Sequence, residues 1–201
     1  MNFLTVQPKF LVTKKEIFKL GYTSKFYKVK EISPSVWEKI LVDFNKVLPK
    51  FVNVLDTTTD QKLQADNEMI YFNGIGEEAH ETFYIDRVSE ESSITTWCEK
   101  TDERYGMYGE LCKTARKEYD LAVSCVLIIA KRHLGEDIIV GSDGDNSDEE
   151  WTNAKTLCFD VLGYGNLDMG DVYKDTDDKY KVRNPETLGK LLDVELGMIK
   201  Q

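Results

Sequence analysis

The chain has 201 residues, which fits one large domain, and 41% of them are hydrophobic, enough to build a core and to exclude a largely disordered protein. Its net charge of −10 disfavours direct binding to duplex nucleic acid, because the phosphate backbone repels an acidic surface. Three explanations of the charge stay open: a surface for a basic partner, imitation of nucleic acid, or solubility alone.

The compartment is predicted from what the sequence lacks. No apolar run reaches the roughly 18 to 20 residues that span a bilayer. The first ten residues, MNFLTVQPKF, lack the basic region followed by an apolar region that marks a signal peptide. The four cysteines have no paired spacing, which predicts free thiols in a reducing environment. We therefore expect a cytoplasmic protein with no membrane contact.

The N-terminal part of the chain alternates extended and helical patterns. The predicted elements are an edge strand at 3–12, a short helix at 14–20, a half-buried strand at 25–32, a helix from 33 to about 48, and a polar surface loop at 56–67. Ser33-Pro34 is a strong helix start, with Ser as N-cap and Pro in the first turn, and Pro49 is expected to end this helix.

Two antiparallel hairpins are expected next. Alternating apolar residues predict that 68–74 pairs with 81–88 across a loop that contains Gly76. The second hairpin would pair 93–99 with 107–113, with Gly106 in its tip.

A helix from Glu118 to Leu134 is predicted to form the centre of the fold. Positions 121–130 hold apolar residues and a single Ser, and they carry no charge. A helix that is apolar on every side cannot lie on a surface, so the rest of the chain must enclose it.

The last part of the chain predicts a helix on either side of a long loop. The predicted elements are a strand at 137–141, an acidic loop at 142–150, a helix at 148–162 that opens with a Ser147 and Glu150 capping box, a loop with a short strand at 163–184, and a final helix that begins at Asn184-Pro185. Strands followed by helices predict an α+β fold in which a mixed or mainly antiparallel sheet packs on a buried central helix and amphipathic helices. We expect one domain over 1–201, with an N-terminal part at 1–55, a core at 68–165 and a C-terminal loop and helix at 166–201.

Three segments carry a resemblance to known sequences. His80-Glu81-Thr82-Phe83, the run CKTARKEYD at 112–120, and Ser142-Asp143-Gly144 follow one another in the series ETF, CKTARK, YD and SDG. The series resembles that of a group of bacteriophage and bacterial proteins with no assigned activity, over about residues 68–165. In that group a Pro often stands where this chain has Glu118. The resemblance implies a phage-like origin and a shared core, and it assigns no activity.

The acidic loop is the first candidate site. Asp143 and Asp145 follow a strand end, and clustered carboxylates are the ligands of hard cations, so a Mg²⁺ or Ca²⁺ site is predicted there. The pattern departs from a calcium-binding EF-hand loop, which needs Gly at the place of Asp148. In the alternative interpretation, the acidic residues that open the next helix only stabilise its dipole.

The basic cluster, defined as Lys113, Thr114, Arg116 and Lys117, is the second candidate site. It precedes a helix N-terminus, where cationic side chains and a hydroxyl can bind a phosphate or another anion. Alternatively, these side chains pair with Glu110, Glu118, Asp120 or the acidic loop. Asp120, in the first turn, is a candidate general base or else a helix cap.

Two functions from different classes follow. The first is a phage-like protein, accessory or host-modulating, that binds a protein with a basic surface. The second is a metal-dependent phosphoesterase or nucleotide-processing enzyme, with Asp143 and Asp145 on the metal, Lys113 and Arg116 on the phosphate, and Asp120 as base. The second function requires both ends of the central helix to serve one pocket.

Overall fold

The computed structural model describes residues 22–90, 106–144, 147–165 and the backbone of 173–174. The helices within this part of the chain are α1 (Pro34–Val47), α2 (Asp120–Leu134) and α3 (Glu149–Leu162). The strands are β1 (Thr23–Lys28), β2 (Gln64–Ala65), β3 (Met69–Phe72), β4 (Phe83–Asp86), β5 (Tyr108–Lys113), β6 (Ile138–Ser142) and β7 (Tyr173–Lys174).

The strands form two small sheets, which confirms the predicted α+β class. The first has the order β5-β1-β6-β7, in which β1 runs antiparallel to both neighbours and β7 runs parallel to β6. The second is the antiparallel order β2-β3-β4. Because β1 lies between β5 and β6, the end of β5 and the end of β6 flank the same end of β1.

Helix α2 lies at the centre, as its composition predicts. Every residue from Ala122 to Ala130 is buried, and the helix packs against α1, α3, β1 and β6. The core that surrounds it includes Trp37, Phe44 and Trp151. Because α2 packs against elements on several sides, its position in the fold is fixed, and so is the point at which the preceding segment enters it.

The boundaries differ from the predicted ones by a few residues, for local reasons. Helix α1 ends at Val47, and Pro49 lies within a following 3₁₀ turn, Leu48–Lys50, whose first positions need no N–H donor. The predicted surface loop at 56–67 contains β2, which pairs with β3. The predicted strand at 25–32 is shifted to Thr23–Lys28.

The start of α3 corrects the predicted capping box. The N-cap is Asp148 rather than Ser147, and the helix begins at Glu149. The Glu150 carboxylate instead binds Arg116. This ion pair joins α3 to the segment before α2. Gly163 ends α3 with a φ of 77°, the left-handed conformation that a glycine adopts without strain.

The first predicted hairpin is confirmed, since β3 pairs with β4 and Gly76 lies in the loop between them. In the second, β5 forms and pairs with β1, while the proposed partner at 93–99 lies outside the described residues. The elements predicted at 3–12 and 14–20 and the helix from Asn184 also lie outside them. Among the helices described, none has the length and apolar character needed to cross a membrane.

Candidate functional site

Tyr22 joins the two segments that the sequence marked as candidate sites. Its carbonyl oxygen accepts hydrogen bonds from the backbone N–H groups of Thr114 at 2.9 Å and Ala115 at 3.2 Å. Its hydroxyl donates to Ser142 Oγ at 3.1 Å. The neighbouring Thr23 accepts the Asp143 N–H on its carbonyl oxygen at 3.0 Å and donates its own N–H to the Asp143 carboxylate at 2.8 Å. The basic cluster and the start of the acidic loop therefore lie on either side of one dipeptide.

The start of the acidic loop is closely packed around the Tyr22 side chain. Ser142 Oγ lies 3.0 Å from Trp151 Nε1, which donates to it, and it also bonds the backbone of Gly144. A Cβ atom on Gly144 would collide with the Asp148 carboxylate and lie 3.1 Å from the Tyr22 ring. Glycine here lets the loop approach the ring without displacing the Asp148 side chain.

The backbone of the basic cluster is strained. Ala115 and Arg116 have φ values of 51° and 54°, a left-handed conformation that disfavours residues other than glycine. The Lys117 N–H donates to the Thr114 carbonyl at 3.0 Å and closes a four-residue turn. Strain of this kind persists where the surrounding structure fixes the chain, and it is concentrated at functional sites.

The three cations of the cluster lie near acceptors within the protein, but only Arg116 has a partner that the alternative interpretation named, a residue of the acidic loop. Arg116 Nε lies 2.5 Å from Glu150 Oε1, and its guanidinium carbon lies 4.6 Å from the centre of the Tyr22 ring. Lys117 Nζ donates to the Glu77 carbonyl at 2.8 Å and lies 3.8 Å from the Glu78 carboxylate; Lys113 Nζ lies 4.0 Å from the Glu81 carboxylate. Binding of an external anion would compete with these carboxylates and stays a prediction.

Asp120 is the most perturbed carboxylate in this region. It is the first residue of α2 rather than its cap, which is Tyr119, and only 4% of its surface is exposed. Thr114 Oγ1 donates to its Oδ1 at 2.5 Å, and no described residue donates to its Oδ2. Burial raises the pKa of Asp120 to about 6, against the lowering effect of the Thr114 hydrogen bond, and Glu150 raises it further.

A cleft of about 270 Å³ lies between the segment before α2 and the start of α3. Besides Leu121 and Asn153, its walls are formed by the charged residues Arg116, Lys117, Glu118, Asp120, Glu149 and Glu150. Four carboxylates therefore face two cations. Arg116 and Lys117 each bind a carboxylate or carbonyl, and with all side chains ionised the walls carry two more negative than positive charges, which favours a cationic ligand.

The predicted metal ligands are placed only in part. Asp143 is exposed, and its Oδ2 accepts the Thr23 N–H at 2.8 Å. Asp145 lies outside the described residues, so the pairing of the two carboxylates around Mg²⁺ or Ca²⁺ stays a prediction. Within residues 22–90, 106–144 and 147–165, no three His, Cys, Asp or Glu side chains are arranged to hold a metal ion.

The three segments that carry the resemblance meet around the start of α2. Glu81 accepts the Lys113 N–H at 2.8 Å, and its carbonyl accepts the Tyr119 hydroxyl at 2.6 Å. The third segment reaches them through Tyr22. Sequence reasoning missed Tyr22, which has no local signal because it stands alone between two predicted elements.

A second polar cluster, also missed, joins the other end of α2 to α1. The Asp43 carboxylate accepts hydrogen bonds from Lys46 at 2.7 Å, His133 at 2.8 Å and Tyr164 at 2.6 Å. His133 lies in the last turn of α2, where a cation also stabilises the helix dipole. An acidic residue on the inner face of α1 was the available signal, since buried carboxylates need partners.

Comparison with known proteins adds no relative: no protein-family model matches the chain, and neither curated proteins nor solved structures show significant similarity to it.

Proposed function

We propose that this protein is a phage-like cytoplasmic binding protein, accessory or host-modulating, and that the cleft beside Asp120 receives a basic segment of a partner protein. One observation supports this function above the others: four carboxylates line the cleft, and both cations in its wall bind acceptors of the protein itself. The net charge of −10 adds a long-range field that attracts a basic surface and speeds association.

Burial of Asp120 gives the proposal its specificity. An exposed carboxylate interacts weakly with a partner because water screens it, whereas a carboxylate that is 4% exposed interacts through a medium of lower dielectric constant. Glu118 and Glu149 stand exposed at the rim, where charges mainly steer the approach of a partner. The cleft thus combines a steering rim with one buried anionic contact.

Affinity capture with a matched pair of variants tests this function. The double variant Glu118→Gln/Glu149→Gln removes two charges at the cleft, and Glu38→Gln/Glu136→Gln removes two exposed charges elsewhere. We expect the wild type and the second variant to retain the same basic protein from a host lysate at moderate salt, and the first variant to retain much less. Retention of no basic protein, or equal retention by both variants, would count against the proposal.

The enzymatic alternative has one supporting observation, the raised pKa of Asp120 in a cleft that also contains Arg116, because general bases are often carboxylates of this kind. It requires a metal held by Asp143 and Asp145. Addition of Mg²⁺ or Ca²⁺ should then raise the melting temperature of the wild type and leave that of Asp143→Asn/Asp145→Asn unchanged. Equal responses of the two proteins would remove this alternative.

A further inference from the structure

We propose that the occupant of the cleft is a single lysine side chain of the partner, with its ammonium group on Asp120 Oδ2 and its aliphatic stem along Leu121. This inference rests on the proposed function and names the chemical group that the site recognises. Four features of the described residues support it: the free oxygen of Asp120, the number of oxygens it offers, the size of the cleft, and the chemistry of its walls.

The first feature is the Asp120 carboxylate, which has a hydrogen-bond donor on only one of its oxygens. Asp120 is 4% exposed, and Thr114 satisfies only its Oδ1. Oδ2 receives no hydrogen bond from any described residue, although Asp120 forms part of the wall of the cleft. Oδ2 is not enclosed by the protein, so it is the oxygen of this largely buried carboxylate that an incoming N–H group can reach from the cleft.

The geometry favours lysine over arginine. A guanidinium group binds a carboxylate best through two parallel hydrogen bonds, which need both oxygens. At Asp120, Oδ1 already accepts the Thr114 hydroxyl, so a bidentate guanidinium would have to share that oxygen with Thr114. The ammonium group of lysine is a point charge that needs only one oxygen. The guanidinium of Arg116 also covers the Tyr22 ring already, so a second guanidinium could not stack there.

The size and walls of the cleft fit one long side chain. Its volume of about 270 Å³ is below the roughly 300 to 1,000 Å³ of pockets that enclose drug-sized ligands. Leu121 is half-buried and presents an apolar wall next to Asp120, and lysine stems pack along such surfaces while their charged ends reach a polar group. Asn153 of α3, on the same cleft, offers an amide oxygen as a further acceptor.

The protonation state of Asp120 should control this binding. Asp120 shares the cleft with Arg116, Lys117 and Glu118 of its own chain segment and with Glu149 and Glu150 of α3, and its pKa lies at about 6. A lysine probe should therefore bind more tightly at about pH 7.5 than at about pH 5, where Asp120 is mostly neutral.

Titration of the full chain with N-acetyl-lysine methylamide, followed by amide NMR, tests the inference. We expect signals of 116–121 and 149–153 to shift, and Asp120→Asn to weaken binding by about tenfold or more, since a hydrogen bond to a charged group is lost. The matched control Asp60→Asn, at an exposed site outside the cleft, should bind as the wild type does. N-acetyl-arginine methylamide should bind less tightly, and the probe acetylated on its side chain should not bind.

Equal binding by the wild type and Asp120→Asn, or shifts confined to other surfaces, would overturn the inference. If Asp120→Asn does not fold, the pH dependence of the wild type replaces it, and equal affinity for the lysine probe at about pH 7.5 and about pH 5 would be equally decisive. The proposed function fails separately: it is lost if no basic protein is captured even though the probe binds at Asp120. Conversely, capture of a basic partner with no response to the lysine probe would overturn only the inference.

Discussion

At the scale of single residues, Asp120 combines three properties that conflict. It is buried, it has a hydrogen-bond donor on one oxygen only, and it lies in a wall with an excess of negative charge. Each property except the hydrogen bond disfavours its ionised form, which explains a pKa raised from 3.8 to about 6. A carboxylate kept under these conditions reduces the stability of the free protein at neutral pH, which is consistent with a role in binding.

The effect of Asp120 on stability should depend on pH in a defined direction. Because its pKa is higher in the folded state, its favourable contribution is present below pH 3.8 and is lost as the pH rises through about 6. Asp120→Asn keeps the shape of the side chain but cannot ionise. As the pH rises from 3.8 to above 6, the free energy of unfolding of this variant should therefore increase relative to that of the wild type, by up to about 3 kcal/mol. Urea denaturation of both proteins between about pH 4 and about pH 7.5 measures this difference. A difference that stays constant with pH would contradict the prediction.

At the scale of elements, the turn before α2 is where local preference and tertiary structure disagree. Nothing in Thr114 to Lys117 favours a left-handed backbone, since the turn contains no glycine. The conformation is imposed by the two bonds to the Tyr22 carbonyl and by the ion pair of Arg116 with Glu150. The unfavourable backbone conformation of Ala115 and Arg116 is offset by these tertiary contacts. It places the Arg116 side chain between α3 and the Tyr22 ring.

Replacement of Ala115 by glycine should measure this cost. The φ of 51° is unfavourable for alanine and freely available to glycine, so Ala115→Gly should raise the free energy of unfolding by about 0.5 to 1 kcal/mol despite the greater entropy of the unfolded chain. The control is Ala79→Gly, because Ala79 has an ordinary φ of −74° and glycine there should lower stability. Thermal or chemical denaturation compares the three proteins. Destabilisation by both substitutions would show that the turn is unstrained.

At the scale of the whole molecule, α2 could be predicted from the sequence and the site around it could not. Ten consecutive positions without charge predict a buried helix, and nine of them, Ala122 to Ala130, are buried, so the central position of α2 follows from composition. The contact of Arg116 with Glu150, by contrast, depends on the strand order β5-β1-β6, which brings the ends of two strands to Tyr22. Strand order depends on pairing between strands that are far apart in the sequence, so it cannot be predicted from a local pattern of apolar residues.

The Asp43 cluster shows the same limit, and it also links the helices into one cooperative unit. Asp43 of α1 accepts hydrogen bonds from His133 near the end of α2 and from Tyr164 just after α3. Burial raises the pKa of Asp43, but the hydrogen bonds from Lys46, Tyr164 and His133 outweigh this effect and hold it below the ordinary value of 3.8. The ionised carboxylate therefore stabilises the contacts among all three helices.

Asp43→Asn should destabilise the protein in a way that disappears in acid. At neutral pH the loss of a charged acceptor shared by three donors should lower the free energy of unfolding by about 2 kcal/mol. Because the pKa of Asp43 is lowered in the folded state, its contribution is present above 3.8 and is lost as the pH falls through the folded value. The wild type and Asp43→Asn should consequently approach the same stability as the pH falls from 3.8 through the folded pKa of Asp43. The exposed control Asp60→Asn should follow the wild type throughout. Acid titration of helix content, recorded by circular dichroism for the three proteins, measures this convergence, and a gap that persists in acid would mean that the charge of Asp43 does not hold the helices together.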